Sequence, residues 1–158
     1  MSEHEVSFEM EIPTDSDGFM RRACPTCERE FKWLPAEEDG EGTPAADGGY
    51  FCPYCGVQAP TSDWWTEEQL DQARAIVQTE VVDPAQKELA DTVGSLHTSG
   101  PVSIHGEAHF EPSDPPGELS ERDDMVRVDF TCHPNDPVKV EEEWPDPVHC
   151  LICGSPNR

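Results

Sequence analysis

Hydrophobic and polar positions alternate with a period of two near both ends of the chain. Residues 5–12 carry apolar side chains at every second position, which predicts a half-buried strand. The same alternation returns over 102–110 and 125–132, and 138–140 forms a further short apolar stretch. These patterns predict two groups of short strands, one on each side of the middle of the chain.

Between these groups, apolar side chains recur at helical spacing from about residue 66 to residue 96. Thr66 and Gln69 have the spacing of a capping box, which predicts that a helix begins there. Asp83 and Pro84 predict a second start, with Asp83 as the N-cap and Pro84 at the first helical position. The middle of the chain is therefore expected to be a helical connector made of two helices.

Two Cys-x-x-Cys pairs separated by 24 residues are the strongest chemical signal in the sequence: Cys24 with Cys27, and Cys52 with Cys55. Each pair forms a tight turn that directs both sulfurs to one point, and four thiolates are a preferred ligand set for structural zinc. Strands are predicted at 30–34 and 49–51, between the pairs. We expect a zinc site here; four free thiols or two disulfides are the alternatives.

The order turn, strand, loop, strand, turn over residues 20–60 resembles the zinc-ribbon family. The resemblance implies a small β fold and a structural zinc ion. It implies no activity, because zinc ribbons serve in enzymes, adaptors and nucleic-acid-binding proteins alike. The pattern is also similar to that of small, uncharacterised prokaryotic zinc-ribbon proteins.

The C-terminal stretch partly repeats this order of cysteine turns and strands. Cys132 opens the stretch, a strand containing Lys139 follows, and Cys150 and Cys153 close it with a glycine directly behind them. Three cysteines predict a second zinc site that needs one more ligand. If no metal binds, these thiols are buried core residues of a relic ribbon.

A histidine is the expected fourth ligand of this second site. His133 is the first candidate because it directly follows Cys132, and His149, next to Cys150, is the alternative. His105 or His109 could also reach the site if their strand lies beside Cys132. The sequence leaves this choice open.

The composition favours a small fold that depends on metal. Only 35% of the residues are hydrophobic, and 16 prolines and 11 glycines interrupt the chain. A small core of this kind often needs a metal ion for stability. The sequence shows neither a signal segment nor an apolar run of membrane-spanning length, so we expect a cytoplasmic protein with reduced thiols.

These features together predict an α+β protein in three parts. Residues 1–60 form an N-terminal strand and the zinc ribbon, and 61–100 form the helical connector. Residues 101–158 form a second small β unit with a ribbon-like turn.

The charge bears on the expected partner. Thirty-four acidic residues against ten basic ones give a formal net charge of −24, which repels the phosphates of nucleic acids. Four basic residues lie near the first cysteine pair: Arg21, Arg22, Arg29 and Lys32. They either balance the thiolates and nearby carboxylates or form a small phosphate-binding patch. The acidity itself is either a solubility trait or a match to a basic partner.

No catalytic motif accompanies the cysteines. The sequence lacks a P-loop, a dinucleotide fingerprint and the protease and kinase signatures. The best enzymatic alternative is a three-ligand second site with Glu107 or Asp129 as base. We expect a non-enzymatic zinc protein that binds a protein partner and no membrane; the alternative is a nucleic-acid-binding or transcription-associated regulator. Of Trp64 and Trp65, one is expected to pack over the ribbon; the other is expected to be a core residue as well, with a partner contact as the alternative.

Overall fold

A computed structural model describes residues 7–35, 44–95 and 108–157. Short antiparallel strands and two α-helices confirm the predicted α+β class. The elements, in chain order, are β1 (Met20–Ala23), β2 (Glu30–Trp33), β3 (Tyr50–Phe51), β4 (Gln58–Ala59), α1 (Glu67–Val77), α2 (Asp83–Ser95), β5 (Val126–Val128) and β6 (Val138–Val140). No helix within the described ranges has both the length and the apolar character that crossing a membrane requires.

The chain divides into two compact units. The sheet unit comprises Ile12–Leu70 and Leu119–Arg158, and the helical unit comprises Met1–Glu11 and Asp71–Glu118. This division differs from the predicted boundaries at 60 and 100. The difference arises because strands of the N-terminal ribbon and of the C-terminal stretch pair with each other.

A four-stranded antiparallel sheet with the order β1-β2-β6-β5 forms the centre of the sheet unit. Its two middle strands come from opposite ends of the chain, with Lys32 opposite Lys139 and Trp33 opposite Val138. The pairs β1–β2 and β5–β6 therefore lie on either side of this central pairing in an approximately twofold arrangement. The weak repeat in the sequence thus has a counterpart in the sheet.

The hydrophobic core covers one face of this sheet. Phe31 is fully buried, and its ring makes edge-on contacts with Trp33, Tyr54 and Trp64. The core cluster also contains cysteines of both predicted metal sites, Cys24, Cys52 and Cys150 among them. Packing of the aromatic side chains and convergence of the thiols are therefore parts of one core.

The opposite face of the sheet carries a buried layer of charge centred on Asp15. Asp15 Oδ2 lies 3.2 Å from Lys32 Nζ and 2.8 Å from Lys139 Nζ. Lys32 also pairs with Glu121 at 2.9 Å, and Lys139 pairs with Asp17 at 2.7 Å. Buried ammonium groups are tolerated only with such partners. The segments that carry Asp15, Asp17 and Glu121 therefore cover this face of the sheet.

The start of α1 forms as predicted. Thr66 N–H donates to Gln69 Oε1 at 3.1 Å, and Gln69 N–H donates to Thr66 Oγ1 at 3.1 Å. This reciprocal pair is a capping box. Gln69 Nε2 also donates to the carbonyl of Arg21 at 2.9 Å, which ties the first turn of the helix to β1.

The second helix begins at Asp83, as predicted, but Asp83 is not its N-cap, because its backbone is already helical, with φ −60° and ψ −47°. A π-helical turn, Gln78–Val82, joins α1 directly to α2, and the Asp83 N–H bonds to the Gln78 carbonyl. The wider turn accommodates the proline ring, which would clash with the carbonyl of residue i−4 in a regular helix. The Asp83 carboxylate instead accepts hydrogen bonds from Gln78 Nε2 at 2.9 Å and from Ser113 N–H at 2.7 Å.

Two predicted strands do not form within the described residues. Residues 7–12 and 108–110 are irregular, and the remaining parts of these predicted strands, 5–6 and 102–107, lie outside the described residues. The predicted strand 125–132 is shorter, because it pairs with β6 only over Val126–Val128. An alternating pattern becomes a strand only where a partner strand accepts its hydrogen bonds.

Candidate metal centres

The four cysteines of the N-terminal ribbon converge on one point. Their sulfurs all lie within 4.8 Å of one another. Cys24 Sγ is 3.7 Å from Cys55 Sγ, and Cys27 Sγ is 3.7 Å from Cys52 Sγ. The sulfurs of a tetrahedral site with Zn–S bonds of about 2.3 Å would lie about 3.8 Å apart, whereas bonded disulfide sulfurs lie about 2.0 Å apart. The spacing therefore fits four thiolates around zinc and no disulfide.

Backbone geometry positions these sulfurs. The N–H groups of Thr26 and Cys27 point at Cys24 Sγ, at 3.3 and 3.4 Å. Those of Tyr54 and Cys55 point at Cys52 Sγ, at 3.4 and 3.5 Å. Amide donors aimed at sulfur stabilise the thiolate, which is the form that binds metal.

Each Cys-x-x-Cys turn ends in a residue with left-handed backbone. Glu28, Gly56 and Gly154 have φ values of 61°, 71° and 71°. Their N–H groups close the turns onto the carbonyls of the first cysteines, at 3.0, 2.9 and 2.8 Å. Glycine adopts this conformation without steric cost, whereas Glu28 adopts it with a side chain attached. The three turns share one backbone form.

The second cluster contains Cys132, His133, Cys150 and Cys153, whose ligand atoms also lie within 4.8 Å of one another. His133 Nδ1 is 3.5 Å from Cys150 Sγ, and Cys132 Sγ is 3.6 Å from Cys153 Sγ. Three thiolates and one imidazole nitrogen are a common structural zinc set. The structure therefore brings together two complete sets of four donors, one from the N-terminal ribbon and one from the C-terminal stretch.

His149 lies elsewhere. Its Nδ1 is 3.2 Å from the carbonyl oxygen of Pro53, and its ring lies against Gly56 of the first site. His109 is exposed and is not among the converging ligand atoms of the described residues. His105 and Glu107 lie outside the described residues, and Asp129 is exposed and forms an ion pair with Arg127 at 2.8 Å. Of the candidate fourth ligands, the structure brings His133 to the cluster.

The two clusters differ in exposure. In the first, Cys24 and Cys52 are buried and Cys55 is exposed. In the second, Cys150 is buried, whereas Cys132 and Cys153 are both exposed. The second site is thus closer to solvent.

The buried Cys150 thiol and the exposed Cys153 thiol of the second site differ in pKa. Burial raises the pKa of the Cys150 thiol to about 12. Burial also acts against ionisation of Cys153, but hydrogen bonds from the hydroxyl and the backbone N–H of Ser155 outweigh it and lower the pKa of that thiol to about 6. A metal must displace the proton of Cys150, so zinc binding is expected to weaken as the pH falls.

The second turn of the first site and the turn of the second site also contact each other. Phe51 N–H donates to the Leu151 carbonyl at 2.9 Å, and His149 N–H donates to the Pro53 carbonyl at 2.8 Å. Phe51 and His149 each directly precede the first cysteine of their turn. The hydrogen bonds are therefore reciprocal and join equivalent positions, a relation that sequence reasoning missed.

The side chains repeat this exchange. The Phe51 ring lies so close to Gly154 that a Cβ added there would come within 2.7 Å of Phe51 Cδ1. A Cβ added at Gly56 would come within 3.1 Å of His149 Cδ2. The glycine that ends each turn therefore also makes room for the ring that precedes the other turn.

The four basic side chains near the first cysteine pair make contacts within the protein: Arg21, Arg22, Arg29 and Lys32. Arg21 forms an ion pair with Glu121 at 2.8 Å. The Arg22 guanidinium lies over the rings of Trp33 and Trp65, at 4.9 and 5.0 Å from their centres. Arg29 lies 4.8 Å from the ring centre of Trp144. Charge balance, one of the two predicted alternatives, describes Arg21, Lys32 and also Arg29, which pairs with Glu141 at 3.4 Å. Arg22 contacts aromatic rings instead.

Replacing His133 with alanine should remove one of two zinc ions, because it deletes one donor of the second cluster and none of the first. The zinc content of purified protein at saturating metal measures this. His149→Ala is the matched control and should retain two zinc ions, since its ring contacts Pro53 and Gly56 instead of the cluster. Loss of zinc in His149→Ala alone would contradict the geometry of the second site.

Both donor sets fit zinc, because thiolate and imidazole ligands in tetrahedral sets of four select it over harder cations. The described part of the chain therefore contains two cysteine clusters that could hold metal ions in zinc-ribbon-like turns. Comparison of the chain with known protein families, with curated proteins and with solved structures gave no match, so its likeness to zinc ribbons rests on these clusters and their turns.

Proposed function

We propose that this chain is a non-enzymatic protein in which two structural zinc ions hold together a protein-interaction module. The observation that supports this most directly is the completeness of each donor set, with four ligand atoms within 4.8 Å of one another. A tetrahedral ion bound by four protein ligands has no position left for water or substrate. Zinc would therefore supply stability and no Lewis-acid chemistry at either site.

An exposed tryptophan that lies over an arginine supports the interaction role. Trp64 is fully buried in the core, whereas the neighbouring Trp65 is 38% exposed and lies over the Arg22 guanidinium. Tryptophan and arginine are enriched among the residues that dominate binding energy at protein interfaces. We place the centre of the contact surface at Trp65 and Arg22, and the net charge of −24 favours a partner with a basic surface.

A nucleic-acid ligand is the less favoured alternative. The net charge repels phosphate, and Arg21 and Lys32 already bind carboxylates within the protein. Gel-shift titration at low salt separates the two functions, because phosphate attraction is greatest there. We expect no shift at micromolar protein with duplex or single-stranded probes.

Trp65→Ala should abolish capture of the partner by the zinc-loaded protein. Truncation of a central interface residue costs about 2 kcal/mol or more, which is roughly a thirtyfold loss of affinity. Affinity capture from the host, followed by titration with the captured protein, measures the effect. Leu89→Ala is the control, because Leu89 is 65% exposed in the helical unit. Equal capture by both variants, or a gel shift at micromolar concentration, would overturn the proposal.

A further inference from the structure

The two candidate metal sites are adjacent, because one turn of each site contacts a turn of the other. The turn that carries Cys52 and Cys55 and the turn that carries Cys150 and Cys153 exchange two backbone hydrogen bonds, at 2.9 and 2.8 Å. The ring that precedes each turn lies against the glycine that ends the other, so both turns must be folded for either ring to be seated.

We propose that the two sites bind zinc cooperatively, with Phe51 and His149 as the residues that couple them. This inference rests on the proposed structural role of both metal ions. A zinc ion in the first site orders Pro53 and Gly56. The Pro53 carbonyl accepts the His149 N–H, and the His149 ring packs against Gly56. His149 in turn directly precedes Cys150, a ligand of the second site.

The same argument holds in the opposite direction. A zinc ion in the second site orders Leu151 and Gly154. The Leu151 carbonyl accepts the Phe51 N–H, and the Phe51 ring packs against Gly154. Phe51 in turn directly precedes Cys52, a ligand of the first site. Thermodynamic linkage requires the two effects on affinity to be equal. Coupling between binding sites commonly amounts to about 5-fold to 150-fold in affinity, and we expect about tenfold here.

His149 is therefore next to the second site in sequence, but its side chain packs against the first. It adjoins a ligand of the second site, but its side chain contacts only the turn of the first among the contacts described. It is a positioning residue and donates no atom to either metal. Its substitution should therefore change how zinc is distributed between chains without changing the final stoichiometry.

Native mass spectrometry of the wild-type chain at one equivalent of zinc tests the coupling. Independent sites leave half of the chains or more with a single zinc ion, whatever the two affinities are. With tenfold coupling between equal sites, that fraction falls to about a quarter, because metal-free and doubly loaded chains are favoured. A single-zinc fraction of one half or more overturns the proposal.

His149→Ala locates the coupling. The single-zinc fraction should rise toward one half in this variant, and alkylation of the remaining thiols should show both sites partly empty. His109→Ala, an exposed histidine outside both clusters, is the matched control and should behave as the wild type does. A wild-type value in His149→Ala would overturn the assignment to these turns. A wild-type chain that binds only one zinc ion at saturation would instead refute the proposed function.

Discussion

Replacing Cys27 or Cys52 with serine is expected to remove one zinc ion and to unfold the sheet unit. Structural zinc contributes on the order of 10 kcal/mol to the folding of small domains, more than the whole stability of many of them. Cys52 also lies in the hydrophobic core, together with Phe31 and Trp64. Loss of the ion should therefore disorder the core as well as the turn.

Zinc content and unfolding by urea, followed through tryptophan fluorescence, measure this effect. Thr26→Ala is the matched control, because Thr26 lies within the first turn but donates only its backbone N–H to Cys24. This variant should retain zinc and a cooperative transition. Unchanged zinc content in both serine variants would contradict a four-thiolate site.

Asp15→Asn is expected to destabilise the sheet unit by about 3 kcal/mol, since removal of one partner from a buried ion pair typically costs about 3–5 kcal/mol. Oδ2 of Asp15 holds the ammonium groups of Lys32 and Lys139, whose side chains are almost fully buried. An asparagine could keep the turn hydrogen bonds to the N–H groups of Asp17 and Phe19 that Oδ1 accepts. The substitution therefore tests the charge more than the turn.

The loss of stability in Asp15→Asn should depend on pH, and the pKa of the Asp15 carboxyl gives the direction of that dependence. Burial would raise the pKa of the Asp15 carboxyl, but hydrogen bonds from Lys139, Phe19 and Lys32 outweigh it and lower the pKa to about 2. An unfolded aspartate titrates near pH 3.9, so the stabilising contribution is complete above about pH 4 and is lost as the pH falls toward about 2. The difference in unfolding free energy between wild type and Asp15→Asn should narrow over that range.

Asp129→Asn is the control for this experiment, because Asp129 is exposed and binds the equally exposed Arg127. Exposed ion pairs contribute little to stability. A difference between wild type and Asp15→Asn below about 1 kcal/mol near neutral pH would show that the buried charge layer does not stabilise the sheet as its geometry implies.

Features that depend on a few neighbouring residues could be predicted from the sequence. A Cys-x-x-Cys turn orients its own two sulfurs, so the spacing alone indicated which thiols can converge. The capping box at Thr66 and Gln69 formed as predicted for the same reason, because both partners lie within one helical turn. The α+β class followed from the change in hydrophobic period along the chain.

Choices between equivalent local patterns depended on the tertiary structure. His133 and His149 each adjoin a cysteine, and only the packing of one turn against another directs His149 to Pro53 and away from the second cluster. Likewise, Trp64 and Trp65 are neighbours in sequence, but only Trp64 enters the aromatic core beside Phe31.

The pairing of β2 with β6 was beyond the reach of the sequence, because it joins residues more than a hundred positions apart. Short strands at both ends of the chain have similar patterns, and nothing local states which of them will pair. Burial decides this, since joining the strands encloses the aromatic core on one face and places Lys32 and Lys139 against Asp15 on the other. The sequence by itself therefore determined the cysteines that can bind metal, and the tertiary structure decided that His133 joins them and that the two clusters share one core and contact each other.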